Sequence, residues 1–125
     1  MNDRADPQLD SLRIPPHSIE AEQSVLGGLL LDNAAWDKIA DFVSSEDFYR
    51  YDHRLIFQHI ARLINSAKPA DVITVFESLS SAAKAEEVGG VAYLNALAQN
   101  TPSAANIRRY AEIVRDRGKI GRAHV

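Results

Sequence analysis

The sequence of 125 residues contains no cysteine, which excludes disulfide bonds, a thiolate nucleophile and zinc sites built on cysteine. It also has no long apolar run, because the longest extends only from Val25 to Leu31 and a membrane-spanning helix needs about 20 such residues. The opening segment, Met1 to Asp6, is polar and acidic and has none of the features of a secretory signal. These absences predict a soluble cytoplasmic protein that has no membrane partner and is held together by its hydrophobic core.

Basic charge is scarce over most of the chain. The net charge is −6 over residues 1–50, −1 over residues 51–107 and +4 over residues 108–125, which gives −3 in total. Because duplex DNA is bound by cationic surfaces, only the last basic segment, with Arg108, Arg109, Arg115 and Arg117, is a candidate for DNA contact. Apolar residues at 46% and charged residues at 25% are typical of a single folded domain.

Apolar residues recur at helical spacing along the chain and predict an all-α fold, a small bundle of about six helices without strands. The first helix is predicted at about residues 18–31, and a second follows the cap Asp32-Asn33 and extends to Val43. The loop 44–50 is expected to tuck its two aromatic residues onto the core. Three further helices are predicted at about residues 52–67, 91–99 and 103–117.

Residues 72–76 are rich in β-branched side chains and would form a strand by propensity alone. However, helical spacing continues from Val72 through Phe76 and Leu79, and no second strand is present for pairing. A helix capped by Asp71 is therefore predicted for this segment.

The last predicted helix has an apolar stripe at the spacing i, i+3, i+4, i+7, formed by Ile107, Tyr110, Ala111 and Val114. A stripe of this kind needs a partner helix, either from further sequence or from another subunit. These four residues are therefore the candidates for subunit contact, although the same residues also fit a place in the domain's own core.

The C-terminal residues do not continue the pattern of the last helix. Gly118 is interpreted as a C-cap, and residues 120–125, Ile-Gly-Arg-Ala-His-Val, are similar to the translation of a common sequencing adapter. We expect the natural protein to continue past about residue 118, with a native flexible terminus as the alternative. The predicted organisation is a flexible tail at 1–17, a helical domain at 18–117 and a non-native or disordered tail at 118–125.

No set of residues has the pattern of a catalytic, cofactor-binding or metal site. His53 and His59 are six residues apart, about 240° around a helix, and cannot share a metal ion from one face. The carboxylate pairs lie in a first helical turn or in polar loops, where solvated acids are expected: Glu20/Glu22, Glu46/Asp47 and Glu86/Glu87. Gly27-Gly28 follows no strand, so it predicts close approach of a neighbouring helix instead of a phosphate-binding loop.

Four segments, in order along the chain, carry a resemblance to a known family. They are Pro15 to Asp32, then Asp47-Phe48-Tyr49 with His53 and Ile56-Phe57, then Val88 to Leu94, and then Asn100 to Ile107 with Tyr110 to Arg115. Together they resemble the N-terminal part of the DnaB-type bacterial replicative DNA helicases. Four matches in order over residues 15–117 are far more specific than any one motif.

The resemblance implies an all-helical collar domain of a ring-shaped hexamer, which pairs with its neighbours and docks the primase and helicase loaders. It implies ATP and magnesium only for a RecA-like motor domain that this sequence lacks, so no cofactor and no unwinding step is assigned to a residue present. The last helix, residues 103–117, is implied to be the first arm of a truncated helical hairpin that mediates pairing. The expected role is assembly and docking within an ATP-dependent 5′–3′ helicase that unwinds DNA at the bacterial replication fork.

Two other classes of function are considered. A freestanding helical module could bind DNA through the basic last helix, in which case its affinity for DNA would fall steeply with salt. A small hydrolase is disfavoured, because no nucleophile and base are paired in any motif of the sequence.

Overall fold

A computed structural model describes residues 16–123 of the chain, with side chains from Ser18 to Lys119. This part contains five α-helices, which are α1 (Pro16–Leu31), α2 (Tyr51–Asn65), α3 (Val72–Ser81), α4 (Gly90–Gln99) and α5 (Ile107–Ala123). Three short 3-10 helices, Asn33–Lys38, Ser45–Asp47 and Glu86–Val88, lie between them. No strand occurs over residues 16–123, and the predicted all-α fold is confirmed. Residues 1–15 of the predicted N-terminal tail lie outside the residues that the structure describes.

Helix α1 is the centre of the bundle. Its residues 25–30 are buried without interruption, and it contacts α2, α4, α5 and the 3-10 helix Asn33–Lys38. A helix that is apolar on all sides is stable only when other elements surround it. The neighbouring helices present single apolar stripes to it, among them Ile56 and Ile60 of α2 and Leu94 and Leu97 of α4. Over the described residues, no helix has the length and apolar character required to cross a membrane.

The two glycines in α1 permit this close packing, as the sequence predicted. A Cβ atom on Gly27 would lie 2.1 Å from Thr101 Oγ1 and 2.4 Å from the Leu97 carbonyl oxygen. A Cβ atom on Gly28 would lie 3.3 Å from Ile107 Cδ1. Helix α1 therefore contacts the end of α4 at Gly27 and the start of α5 at Gly28, because no side chain separates them.

The prediction of an amphipathic α-helix up to Val43 is wrong. The segment forms the 3-10 helix Asn33–Lys38 followed by turns, although Ile39 and Val43, which have the spacing of an apolar helical face, are buried. The Asn33 side chain explains the tight turn, because its amide donates to the carbonyl oxygens of Leu29 and Ala70, each at 2.9 Å. Its carbonyl oxygen also accepts from Ala70 N–H at 2.9 Å, so the turn is bound to the segment before α3.

The predicted helix after the cap Asp71 is confirmed, and it spans Val72–Ser81. Asp71 Oδ1 accepts from Thr74 N–H at 2.9 Å, and Thr74 Oγ1 accepts from Asp71 N–H at 2.8 Å. This reciprocal capping box satisfies two backbone donors at the start of α3. Local capping and the burial of Val75 and Leu79 therefore outweigh the strand propensity of the β-branched residues.

The interpretation of Gly118 as a C-cap is wrong, since α5 continues through it to Ala123. A Cβ atom at Gly118 would lie 2.7 Å from Asp47 Cα, so this glycine lets α5 pack directly on the 3-10 helix Ser45–Asp47. The origin of residues 118–125 remains a prediction.

Candidate functional site

A buried polar network joins α1, α2 and α4. Glu22 Oε1 lies 2.6 Å from His53 Nδ1, and His53 Nε2 lies 2.6 Å from the Tyr93 hydroxyl. Gln23 Nε2 donates to the same hydroxyl at 3.1 Å. The second carboxylate oxygen of Glu22 accepts from Tyr49 N–H at 2.5 Å. We call Glu22, His53 and Tyr93 the buried triad.

Each polar group of the buried triad has a partner of the opposite hydrogen-bonding type when His53 is neutral. The Glu22 carboxylate only accepts, so His53 Nδ1 carries the proton and donates to it. His53 Nε2 then accepts from the Tyr93 hydroxyl, whose oxygen accepts from the Gln23 amide. The triad therefore connects three helices without leaving a buried polar atom unsatisfied, which makes it a structural clasp.

Tyr93 is suited to hydrogen bonding and not to nucleophilic attack. Burial raises the pKa of Tyr93 above its ordinary value, so the phenol keeps its proton. Arg50 lies over the ring, 5.4 Å from its centroid, and its Nη2 atom is 2.5 Å from Asp52 Oδ2. The hydrogen bond to Asp52 raises the pKa of Arg50. The triad thus resembles a catalytic relay in its order of groups, but its hydroxyl is not activated.

Two tyrosines are displayed on the surface next to the buried triad. Tyr49 is 57% exposed and Tyr51 is 52% exposed, whereas the intervening Arg50 is partly buried. The Arg54 guanidinium lies 5.9 Å from the centroid of the Tyr51 ring, and its Nη2 atom donates to the Tyr49 carbonyl oxygen at 3.4 Å. We call Tyr49, Tyr51 and Arg54 the tyrosine patch.

The loop 44–50 only partly follows its prediction. Phe48 is 1% exposed, and its ring centroid is 4.9 Å from that of Phe57 on α2. Tyr49 points the other way into solvent, so of the two aromatic residues only Phe48 is tucked onto the core. The backbone between them is fixed, because Tyr49 N–H donates to the buried Glu22.

The stripe proposed for subunit contact lies mostly inside the domain. Ile107, Ala111 and Val114 are at most 1% exposed, while Tyr110 is partly exposed. The cause is the glycine contact, which brings α5 against α1 so that the stripe is covered by the chain itself. Ile107, Ala111 and Val114 therefore lie in the domain's own core, which is one of the two alternatives that the sequence allowed. Contact with another subunit remains a prediction.

Arg108, Arg109 and Arg115 of α5 have partners on the same chain, whereas Arg117 forms no ion pair within residues 18–119 and its buried Nε atom has no hydrogen-bond partner there. Arg108 and Arg115 lie 4.7 Å and 5.2 Å from the centroid of the Phe42 ring. Arg108 and Arg109 also pair with Glu112 at 3.7 Å and 3.3 Å. These contacts favour a solvated, internally compensated helix face over a surface with free cations for DNA.

His53 and His59, the two histidines whose side chains the structure describes, lie in different environments. His53 belongs to the buried triad, whereas His59 Nδ1 lies 2.7 Å from Ser78 Oγ on α3. Burial, and secondarily the Arg62 charge, lowers the pKa of His59 below its ordinary value of 6.5. Within residues that the structure describes, no group of three or more His, Asp or Glu is arranged to hold a metal ion. The side chains of His17 and His124 lie outside this part.

Sequence reasoning missed the buried triad, although one signal was present. Glu22 has the helical spacing i, i+3, i+4, i+7 with three apolar residues. They are Val25, Leu26 and Leu29, and all three are 0% exposed. His53 has the same spacing with three buried apolar residues of α2, which are Ile56, Phe57 and Ile60. A charged or titratable side chain on an apolar stripe has to find a buried partner. The identity of that partner depends on contacts between residues 31 and 40 positions apart.

The glycines of α1 do not fit a triphosphate. A phosphate-binding loop needs free backbone N–H groups and open space beside its glycines. Gly27 and Gly28 lie inside a helix and are covered by Thr101 and Ile107, so there is no room for a phosphate at either.

Comparison with known proteins gives consistent matches. A family model described as the DnaB-like helicase N terminal domain matches residues 14–116. The Replicative DNA helicase DnaB of Pasteurella multocida is 53% identical over 104 residues, covering 83% of this chain and 22% of that protein. The Replicative DNA helicase DnaB of Haemophilus influenzae is 49% identical over 113 residues, covering 90% of this chain and 24% of that protein. The chain therefore spans about a quarter of the length of these curated relatives.

A solved structure agrees with these sequence matches. The crystal structure of the N-terminal domain of DnaB helicase from Mycobacterium tuberculosis superposes with a TM-score of 0.80 at 37% identity. The match covers 84% of this chain and 73% of that one.

Proposed function

The chain belongs to the DnaB-like helicase family as its N-terminal domain, and on this basis we propose that it is the assembly and docking domain of a replicative DNA helicase. The observation that carries the proposal is the match of residues 14–116 to the N-terminal domain alone, in a chain about a quarter as long as its relatives. In the proposal, the domain forms the collar of a hexameric parent and offers binding surfaces to primase and to a helicase loader.

The chemistry of unwinding belongs to other parts of the parent protein in this proposal. ATP and magnesium would bind a separate motor domain, which acts on DNA at the replication fork in the bacterial cytoplasm. The residues of this domain contribute a rigid helical body with glycine-mediated packing and a buried polar clasp. Such a body is suited to holding neighbouring subunits and partner proteins in fixed orientations.

Subunit contact is proposed for the exposed side of α5. Tyr110 keeps accessible surface, whereas Ile107, Ala111 and Val114 support it from the core. In the full-length parent, Tyr110→Ala should lower the hexamer fraction measured by native mass spectrometry by about tenfold, because a tyrosine at an interface is often an energetic hot spot. The matched control Ile73→Ala removes an exposed apolar side chain from α3 and should leave the hexamer unchanged. Equal hexamer fractions in the two variants would contradict the proposal that α5 contacts a neighbouring subunit.

Docking is tested by calorimetric titration of this chain with purified primase and, separately, with the helicase loader. We expect binding of at least one of them with a dissociation constant in the micromolar range or tighter, as for other specific protein pairs. If the full-length parent binds both partners and this chain binds neither, the docking role belongs to another domain.

A further inference from the structure

We propose that the tyrosine patch is a docking surface for an acidic segment of a partner protein, with a carboxylate of that segment bound by Arg54. This inference rests on the proposed function and adds the site and the chemistry of the partner. Tyr49 and Tyr51 are the most exposed aromatic residues of the chain, since every other aromatic side chain is buried or partly buried. Tyrosine and arginine are the residue types that contribute most to binding energy at protein interfaces.

The patch is presented on a fixed backbone. Tyr49 N–H donates to the buried Glu22 carboxylate, and Phe48 beside it is packed against Phe57. Tyr51 is the first residue of α2, which is anchored two residues later by His53. A partner that binds here does not have to order the loop, so little conformational entropy is lost on binding.

The charges of the patch are complementary to a carboxylate. Arg50 is paired with Asp52, and Lys84 is paired with Glu87, whose charge raises the pKa of Lys84. Arg54 forms no ion pair within residues 18–119, and its Nε atom is buried there without a hydrogen-bond partner, so a ligand can reach only the terminal nitrogens of its guanidinium. A guanidinium beside an exposed aromatic ring is well suited to bind a carboxylate.

A protein segment fits these charges better than nucleic acid does. Binding to a phosphate backbone depends on several uncompensated cations. Here Arg50 and Lys84 are already compensated by Asp52 and Glu87, which leaves Arg54 as the uncompensated cation of the patch. A guanidinium without an ion pair, 5.9 Å from the centroid of the exposed Tyr51 ring, suits a single acidic side chain flanked by apolar or aromatic residues.

The test places a photo-crosslinking residue, p-benzoylphenylalanine, at Tyr49 or at Tyr51 of the full-length parent in its own cells, and maps the crosslinked peptide by mass spectrometry. A synthetic peptide of the mapped segment is then titrated into this chain. We expect the segment to carry net negative charge, and Arg54→Glu to weaken its binding by about tenfold or more. Arg109→Glu, at an arginine whose side chain is 70% exposed on α5, should change binding less than twofold.

Several results would overturn the inference. They are crosslinks to DNA, to a second copy of the chain or to a neutral or basic segment, and no crosslink from either position. Equal binding by Arg54→Glu and Arg109→Glu would also do so. If Arg54→Glu fails to fold, as judged by circular dichroism, Tyr51→Ala replaces it and should weaken peptide binding by a similar factor. The proposed function is tested separately through hexamer formation by the parent, which we expect loss of the patch to leave intact.

Discussion

Glu22 Oε1 and His53 Nδ1 lie 2.6 Å apart in a contact closed to solvent, since the two residues are 3% and 0% exposed. The pair joins the central helix α1 to α2, and His53 extends the connection to Tyr93 on α4. A buried pair of this kind contributes little when intact, because both groups have lost their hydration. Removal of one member is costly, because the other then has no partner. The pair therefore specifies how three helices fit together.

Glu22→Ala should lower the free energy of unfolding by about 3 kcal/mol, because it leaves His53 Nδ1 and Tyr49 N–H without an acceptor inside the domain. Urea denaturation followed by circular dichroism measures the change. The matched control is Glu20→Ala, which removes an exposed carboxylate two residues earlier on the same helix and should change stability by less than about 0.5 kcal/mol. Similar urea midpoints for the two variants would contradict the role of Glu22 in the structural clasp.

The two glycines of α1 should respond differently to the same substitution. Gly27→Ala places a methyl group 2.4 Å from the Leu97 carbonyl oxygen, a backbone atom that cannot move without displacing α4. We expect a loss of about 2–3 kcal/mol in the free energy of unfolding. Gly28→Ala meets the flexible end of Ile107 at 3.3 Å, and the higher helix propensity of alanine offsets the contact to within about 1 kcal/mol. Equal losses would contradict the prediction that the α4 backbone cannot accommodate a methyl group at Gly27.

His59 should make the domain less stable as the pH falls below about 6.5. Burial lowers the pKa of His59 in the folded state, so between the two pKa values the unfolded chain binds more protons than the folded one. The stability contributed by neutral His59 is present above the unfolded pKa and is lost as the pH falls through the folded pKa. The variant His59→Gln keeps a hydrogen-bonding group for Ser78 but does not titrate.

The measurement is urea unfolding of both proteins at pH 7.5 and pH 5.5. The wild type should lose more stability between these two values than His59→Gln does. Because all other titratable groups are common to both proteins, the difference isolates His59. An equal or larger loss in the variant would contradict the prediction.

Local patterns were sufficient to predict most of the helices. The stripe of α2 through Ile56 and Ile60 and the cap Asp71 before α3 are each encoded within one or two turns of chain. The 3-10 helix Asn33–Lys38 could not be predicted in this way. Its geometry depends on hydrogen bonds from Asn33 to Ala70, 37 residues further along the chain. Trp36 and Ile39, three residues apart, fit the 3-10 repeat as well as the α-helical one.

The candidate site was accessible to sequence reasoning only in part. The spacing of Glu22 on the stripe of α1 was visible, but its bond to His53 joins residues that only the fold brings together. The exposure of Tyr49 was not visible, because Phe48 and Tyr49 are adjacent aromatic residues and only the fixed backbone decides which of them faces the core. Gly118 was misread for the same reason, since its contact with Asp47 is tertiary.

Gly118→Ala should separate the end of α5 from the 3-10 helix Ser45–Asp47. The added Cβ atom would lie 2.7 Å from Asp47 Cα, which is a backbone atom, so the two elements must move apart. The cost of about 1–3 kcal/mol is only partly offset by the better helix propensity of alanine. Hydrogen exchange measured by mass spectrometry should therefore rise over residues 44–48 and over the second half of α5, while α3 stays protected. The exposed control Asp116→Ala should leave the exchange of both segments unchanged. Unchanged or increased protection in Gly118→Ala would contradict the direct packing of α5 on the 3-10 helix Ser45–Asp47.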